Sequence, residues 1–152
     1  MDKEEVYNYC VANLLEKLKG FEKRIQGLSE ALDSESKSSA GDKHETGRAM
    51  IQLEMEKASQ QLTGISEMNE ILSKIDSSNS GKSNRKMAHL GSVVYTAKAN
   101  YFLSISAGQI VTENKVFYAI STSSPIGKLL LGKLENEEFL FDGKPIKIQK
   151  IV

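Results

Sequence analysis

The chain has 152 residues, 39% of them hydrophobic and 26% charged, enough for one ordinary domain or two small ones and too short for a large multidomain enzyme. Twenty basic and twenty acidic residues cancel, which removes the polycationic footprint of a general nucleic-acid binder. Residues 1–77 hold 15 acidic and 10 basic residues and residues 78–152 hold 5 and 10, so the halves carry about −5 and +5.

One cysteine, Cys10, excludes an internal disulfide and a zinc site built on cysteine pairs. The start, MDKEEVYNYC, is acidic where a secretory leader is basic, and no apolar run approaches about 18 residues, so a soluble cytoplasmic protein without membrane contact is expected.

From the N-terminus, Tyr7, Val11, Leu14, Leu18, Phe21, Ile25, Leu28 and Leu32 recur at alternating steps of four and three, the seam of a helix that packs on another helix. Charged residues such as Glu16, Lys17, Glu22 and Arg24 fill the opposite face, and Gly20 and Gly27 each lower helix propensity by about 1 kcal/mol. Ile51, Met55, Ala58, Leu62, Ile65 and Leu72 repeat the seam, with Asn69 as its polar position and Met68, Ile71 and Ile75 broadening it. The polar run from Ser34 to Gly41 separates the two. The expectation is an α+β protein whose residues 1–77 form a long antiparallel α-helical coiled-coil hairpin with its tip near 36–46. Each arm of about 35 residues would be on the order of 50 Å long.

The polar stretch DSSNSGKSNRK, residues 76–86, reads as a linker, and the boundary segment between the two domains is drawn at 78–88. β-rich runs follow at Ser92–Thr96, Tyr101–Ile105, Val116–Ile120, Glu138–Phe141 and Ile146–Ile151. One short helix interrupts them, with Ser124 as its cap, Pro125 in its first turn, Ile126, Leu129 and Leu130 as its apolar side and Gly132 closing it. Residues 89–152 are thus expected to form a small antiparallel sheet carrying one short helix.

Several catalytic patterns fail on inspection. Gly81-Lys82-Ser83 lacks the earlier glycine of a phosphate-binding loop, since Asp76 stands there, and His44-Glu45 lacks the second histidine of a zinc-protease helix, since Arg48 stands there. Two histidines and one cysteine leave little for a catalytic triad. Asp42 and Glu45 are three apart at the start of the second helix. They form either a capping box, satisfying backbone N–H groups, or a pair of hard oxygen ligands for Mg²⁺ that a partner would complete, and neither reading excludes the other.

The tip sequence Gly41-Asp42-Lys43-His44-Glu45-Thr46 and the run Ile120-Ser-Thr-Ser-Ser124-Pro125-Ile126-Gly127, continuing to Gly132-Lys133, resemble the Gre transcript cleavage factors, bacterial proteins that bind RNA polymerase. The resemblance covers essentially the whole chain. It implies an FKBP-like fold for residues 89–152, docked on RNA polymerase at the mouth of its secondary channel through Ser124, Pro125 and Ile126. The coiled coil would enter that channel and bring Asp42 and Glu45 to the backtracked RNA 3′ end. There they would act as the catalytic and metal-holding residues of a Mg²⁺ ion shared with polymerase, while Lys43 and Arg48 contact RNA.

On this resemblance the protein is a monomeric transcription elongation factor that stimulates the polymerase's own RNA cleavage and is no enzyme alone. The chain departs from the family at Thr46-Gly47-Arg48-Ala49, where asparagine, alanine, an acid and tyrosine are usual. The alternative is a channel-occupying regulator or inhibitor without cleavage. A prolyl isomerase, which the FKBP-like fold would also permit, and a self-associating coiled-coil adaptor complete the readings.

Overall fold

The computed structural model describes residues 2–37, 42–78 and 87–152, with only the backbone of residues 36, 37, 42–45 and 76–78. Two long helices come first, α1 (Asp2–Lys37) and α2 (Asp42–Ser78). The strands β1 (Val93–Thr96), β2 (Asn100–Ser104), β3 (Gly108–Val111) and β4 (Val116–Ser121) follow, then the helix α3 (Pro125–Leu130) and the strands β5 (Glu138–Phe141) and β6 (Lys144–Ile151). The chain divides into two compact units, one of residues 14–68 and one that joins residues 1–13 to residues 69–152.

In the unit of residues 14–68, the α1 seam residues Leu14, Leu18, Phe21, Ile25, Leu28 and Leu32 are all buried or half-buried, as are Ile51, Met55, Ala58, Leu62 and Ile65 of α2. The Arg24 guanidinium donates to the Glu54 carboxylate at 2.8 Å. Nearer the ends of the same helices, the Glu35 carboxylate lies about 3.5 Å from where a Cβ on Gly47 would stand. Moving up α1 from Arg24 to Glu35 therefore moves the neighbour back along α2 from Glu54 to Gly47, and the helices form an antiparallel hairpin. α1 ends at Lys37 and α2 begins at Asp42, and residues 38–41, within the expected tip at 36–46, lie outside the described ones. Met50 is 65% exposed.

In the other unit, Val6, Cys10, Leu72 and Ile75 are buried, and the Tyr7 hydroxyl donates to the Leu72 carbonyl at 3.1 Å. Asn69, read as a seam position, is exposed, while Met68 is half-buried in its place.

The sheet has six strands in the order β3-β4-β2-β1-β6-β5 and is mixed, which corrects the antiparallel expectation. β2 and β4 pair in parallel, Tyr101 opposite Tyr118, while every other pairing is antiparallel. The reason is β3, a strand the sequence reading passed over. The chain leaves β2, lays β3 at the edge, turns through residues 112–115 and brings β4 back into the gap between them. The turn closes with Thr112 N–H donating to the Lys115 carbonyl at 2.9 Å.

Alternation along the strands gives the sheet two working faces. One carries Val94, Tyr101, Leu103, Phe139, Ile146 and Ile148, packed with Leu130 of α3 into a single core cluster. The other meets the helix ends of its own unit, where a Cβ on Gly91 would lie 3.1 Å from Ile75 and the Ser104 hydroxyl comes beside Cys10. Burial pushes the Cys10 thiol up to about 11, although the Ser104 contact works the other way. Ser104 Oγ is itself buried without a hydrogen bond of ordinary geometry, so its contact with the thiol is a loose one. Met87 bridges to Leu134, and Ala88 exchanges backbone hydrogen bonds with Lys133 and Gly132, so the end of the expected linker is part of the sheet unit. Residues 79–86 lie outside the described ones.

α3 begins as its sequence indicates. Ser124 caps it, accepting from the Gly127 N–H at 3.1 Å while donating to the Ser121 carbonyl at 2.6 Å. A Cβ on Gly127 would overlap the Ser121 carbonyl oxygen, whereas Gly20, exposed within α1, faces open space. Gly127→Ala is accordingly expected to lower stability by about 1–3 kcal/mol and Gly20→Ala to raise it by about 0.5–1 kcal/mol, as measured by urea unfolding. Equal effects of the two would contradict the tight turn.

Candidate functional site

Asp42, Lys43, Glu45 and Arg48 all fall within the first two turns of α2. A helix turns by about 100° per residue, so positions 42, 45 and 48 follow one another down one side of it. The side chains of Asp42, Lys43, His44 and Glu45 lie outside the described residues, as does Gly41, and the choice between capping box and cation pair falls there too. Thr46 and Arg48 are exposed, and Glu35, on the last turns of α1, is half-buried beside Gly47. Glu35 stands three residues after Leu32, the next seam position by spacing, but as a charged residue it did not register in an apolar pattern, and only the antiparallel register shows it beside Gly47 of α2.

Ser124, Pro125 and Ile126 start α3, in the unit that also holds the sheet. The Ser124 hydroxyl is occupied by its own turn, donating to Ser121 and accepting from Gly127. Ser121 Oγ in turn accepts from the Ser123 N–H at 3.1 Å. What this segment offers outward is the exposed Pro125 ring and the half-buried Ile126, with Leu129 and Leu131 partly exposed beyond them. Ser124 thus shapes the surface and Pro125 forms it.

A charged cluster that the sequence did not announce fixes the start of α1. The Asp2 carboxylate accepts from the Lys115 ammonium at 2.7 Å and from the Tyr95 hydroxyl at 2.8 Å. Lys115 also stands 5.4 Å from the centre of the Tyr95 ring, which meets Phe117 edge-on at 5.9 Å. The Lys115 ammonium, and then the Tyr95 hydroxyl, hold the Asp2 carboxyl below the usual carboxylate range. Burial and the neighbouring carboxylate push the Tyr95 phenol upward.

Near the same strands, a shallow open groove runs past Lys98, Asn100, Gln109, Asn114, Lys115 and Tyr118, sharing Lys115 with the Asp2 cluster. The register places Gln109 and Tyr101 on either side of Tyr118. Tyr118 is 39% exposed, and its ring contacts the buried Tyr101 ring at 6.3 Å with a 39° tilt. The groove depends on β3, so reading residues 108–111 as a strand is the signal that would have found it.

No family model matches the sequence, and no curated protein matches it. Among the described residues, no group of three or more His, Cys, Asp or Glu is placed to hold a metal ion, and no helix is long and apolar enough to cross a membrane.

The Asp2 cluster has a calculable pH response. Its depressed pKa means that the contact contributes fully above the ordinary carboxylate range and is lost as pH falls through the depressed value. Asp2→Asn is expected to lower the Tm near pH 7, with the difference from wild type shrinking toward pH 2, as followed by calorimetry. A difference independent of pH would remove charge from the account.

Proposed function

We propose that this chain is a bacterial transcription elongation factor of the Gre type. In this reading it binds RNA polymerase at the secondary channel and stimulates the polymerase's own cleavage of backtracked RNA. The observation that carries the reading is that the second helix of an antiparallel hairpin begins at Asp42, with Glu45 in its first turn. The element order supports it as well, a long helical hairpin followed by a sheet whose short helix opens on Ser124-Pro125. In this reading the hairpin is a coiled coil, residues 89–152 are an FKBP-like docking domain, and the protein works as a cytoplasmic monomer that is no enzyme by itself.

The chain's own residues have distinct tasks. Asp42 and Glu45 offer hard oxygen donors, and the donor set fits a Mg²⁺ ion shared with the polymerase, because two carboxylates are too few to hold one alone. Both positions lie in the first turn of α2. When bound, such an ion supplies charge stabilisation and an activated water for phosphodiester hydrolysis. Lys43 and Arg48 supply positive charge for the RNA phosphates. Ser124 keeps α3 capped so that Pro125 and Ile126 meet the polymerase.

Arg48 favours a second reading. It is exposed on the helix three residues after Glu45, where the Gre pattern has an aromatic ring nearby and no such cation. A guanidinium there can neutralise the acidic pair, which suits a channel-occupying regulator that binds without promoting cleavage.

One assay separates the two. A 3′-labelled transcript in a backtracked elongation complex is incubated with wild type or Asp42→Asn, and polymerase binding is measured in the same samples. Wild type is expected to accelerate Mg²⁺-dependent release of a short 3′ fragment, and Asp42→Asn to bind equally while losing about 100-fold of the stimulation. Binding of wild type without cleavage would establish the regulator instead, and absence of binding would refute both.

A further inference from the structure

The groove beside Tyr118 lies outside the residues assigned to polymerase. Its lining combines an exposed aromatic ring, the lysines Lys98 and Lys115, and the carboxamides of Asn100, Gln109 and Asn114. Among the described residues no carboxylate lines it, although acidic and basic residues are equally numerous in the chain. Tyr118 meets the Tyr101 ring on one side and is 39% exposed, so part of its ring is open to a ligand. Asn100 gives one N–H to the Val116 carbonyl at 3.1 Å, which holds that amide at the rim. Lys115 is drawn toward Asp2, leaving Lys98 as the cation nearer in role to an incoming anion.

Small-molecule pockets are lined mainly by apolar and aromatic side chains, and among the described residues this groove has only Val116, two alanines and Tyr118 of that kind. An aromatic platform with nearby cations suits a stacked base and its phosphate. Carboxamides both donate and accept hydrogen bonds, so they can engage a base edge or a ribose 2′-hydroxyl.

We propose that this groove binds single-stranded RNA, with a base stacked on Tyr118, Gln109 and Asn114 hydrogen-bonding the nucleotide and Lys98 contacting the phosphate. The site goes beyond the polymerase reading and stands without it, because neither Asp42 nor the α3 segment takes part.

The test uses the full chain without polymerase. Fluorescence anisotropy follows binding of a labelled oligouridylate of about ten nucleotides and of the matching oligodeoxynucleotide, from about 50 to about 200 mM salt. The proposal expects RNA to bind more tightly than DNA, with affinity falling as salt rises. Tyr118→Ala and Lys98→Gln should each weaken binding about tenfold, Tyr118→Phe should retain it, and Lys98→Gln should lower the salt slope by about 0.7. Circular dichroism of each variant checks that the fold is kept. Absence of RNA binding, equal affinity for DNA, or unchanged affinity in both Tyr118→Ala and Lys98→Gln would overturn the proposal. A groove that instead bound a peptide in a Tyr118-dependent way while ignoring RNA would overturn it equally.

Discussion

The apolar stripes of α1 and α2 must be covered by one another, and this constraint governs the first half of the chain. A helix of such length holds together in water only when a partner takes up its apolar face. The seam from Leu14 to Leu32 faces Ile51 to Ile65 and is buried or half-buried along its whole length. The charged residues between them add little by comparison. Arg24 and Glu54 meet at 2.8 Å but are both solvent-exposed, and such pairs contribute at most about 1 kcal/mol. Burial sets the pairing and charge adjusts its register.

A different constraint shapes the sheet. With β3 at the edge, β4 is inserted beside β2, and the chain leaves β4 at Ser121 with a sharp reversal to make. Ser121, Ser124 and Gly127 make it together: one carbonyl accepts from both the Ser124 hydroxyl and its backbone N–H, and the glycine permits the close approach. After α3, Gly132 takes a left-handed conformation at φ +80° and returns the chain to Ala88. A φ of that sign is open to glycine at little cost, so the segment from Ser121 to Gly132 is specified almost residue by residue.

This explains which parts were legible beforehand. Long-period patterns and caps are local signals, so the helices, α3, its Ser124 cap and most strands can be read from neighbours in sequence. β3 could not, because Gly108-Gln109-Ile110-Val111 buries only Ile110 and alternates over too few residues to stand out. Missing it also hid the parallel pairing and the Tyr118 groove, both of which follow from β4 entering between β3 and β2. Asp2 was equally illegible. Its partners Tyr95 and Lys115 are over ninety residues away in sequence, and an acidic residue in a first helical turn is ordinary for local reasons. The tip residues Asp42 and Glu45 were legible as a pattern, while the contacts of Glu35 required the hairpin register.

The buried thiol has a practical side. Cys10 is the chain's one cysteine, fully buried, with its ionisation pushed to about 11. Near neutral pH almost none of it is thiolate, the form that attacks electrophiles. Maleimide chemistry applied to the folded native sequence therefore has no ready thiol target. A cysteine introduced at an exposed position such as Thr46 becomes a unique handle, so a fluorophore or crosslinker can be placed on α2 without first removing the native residue.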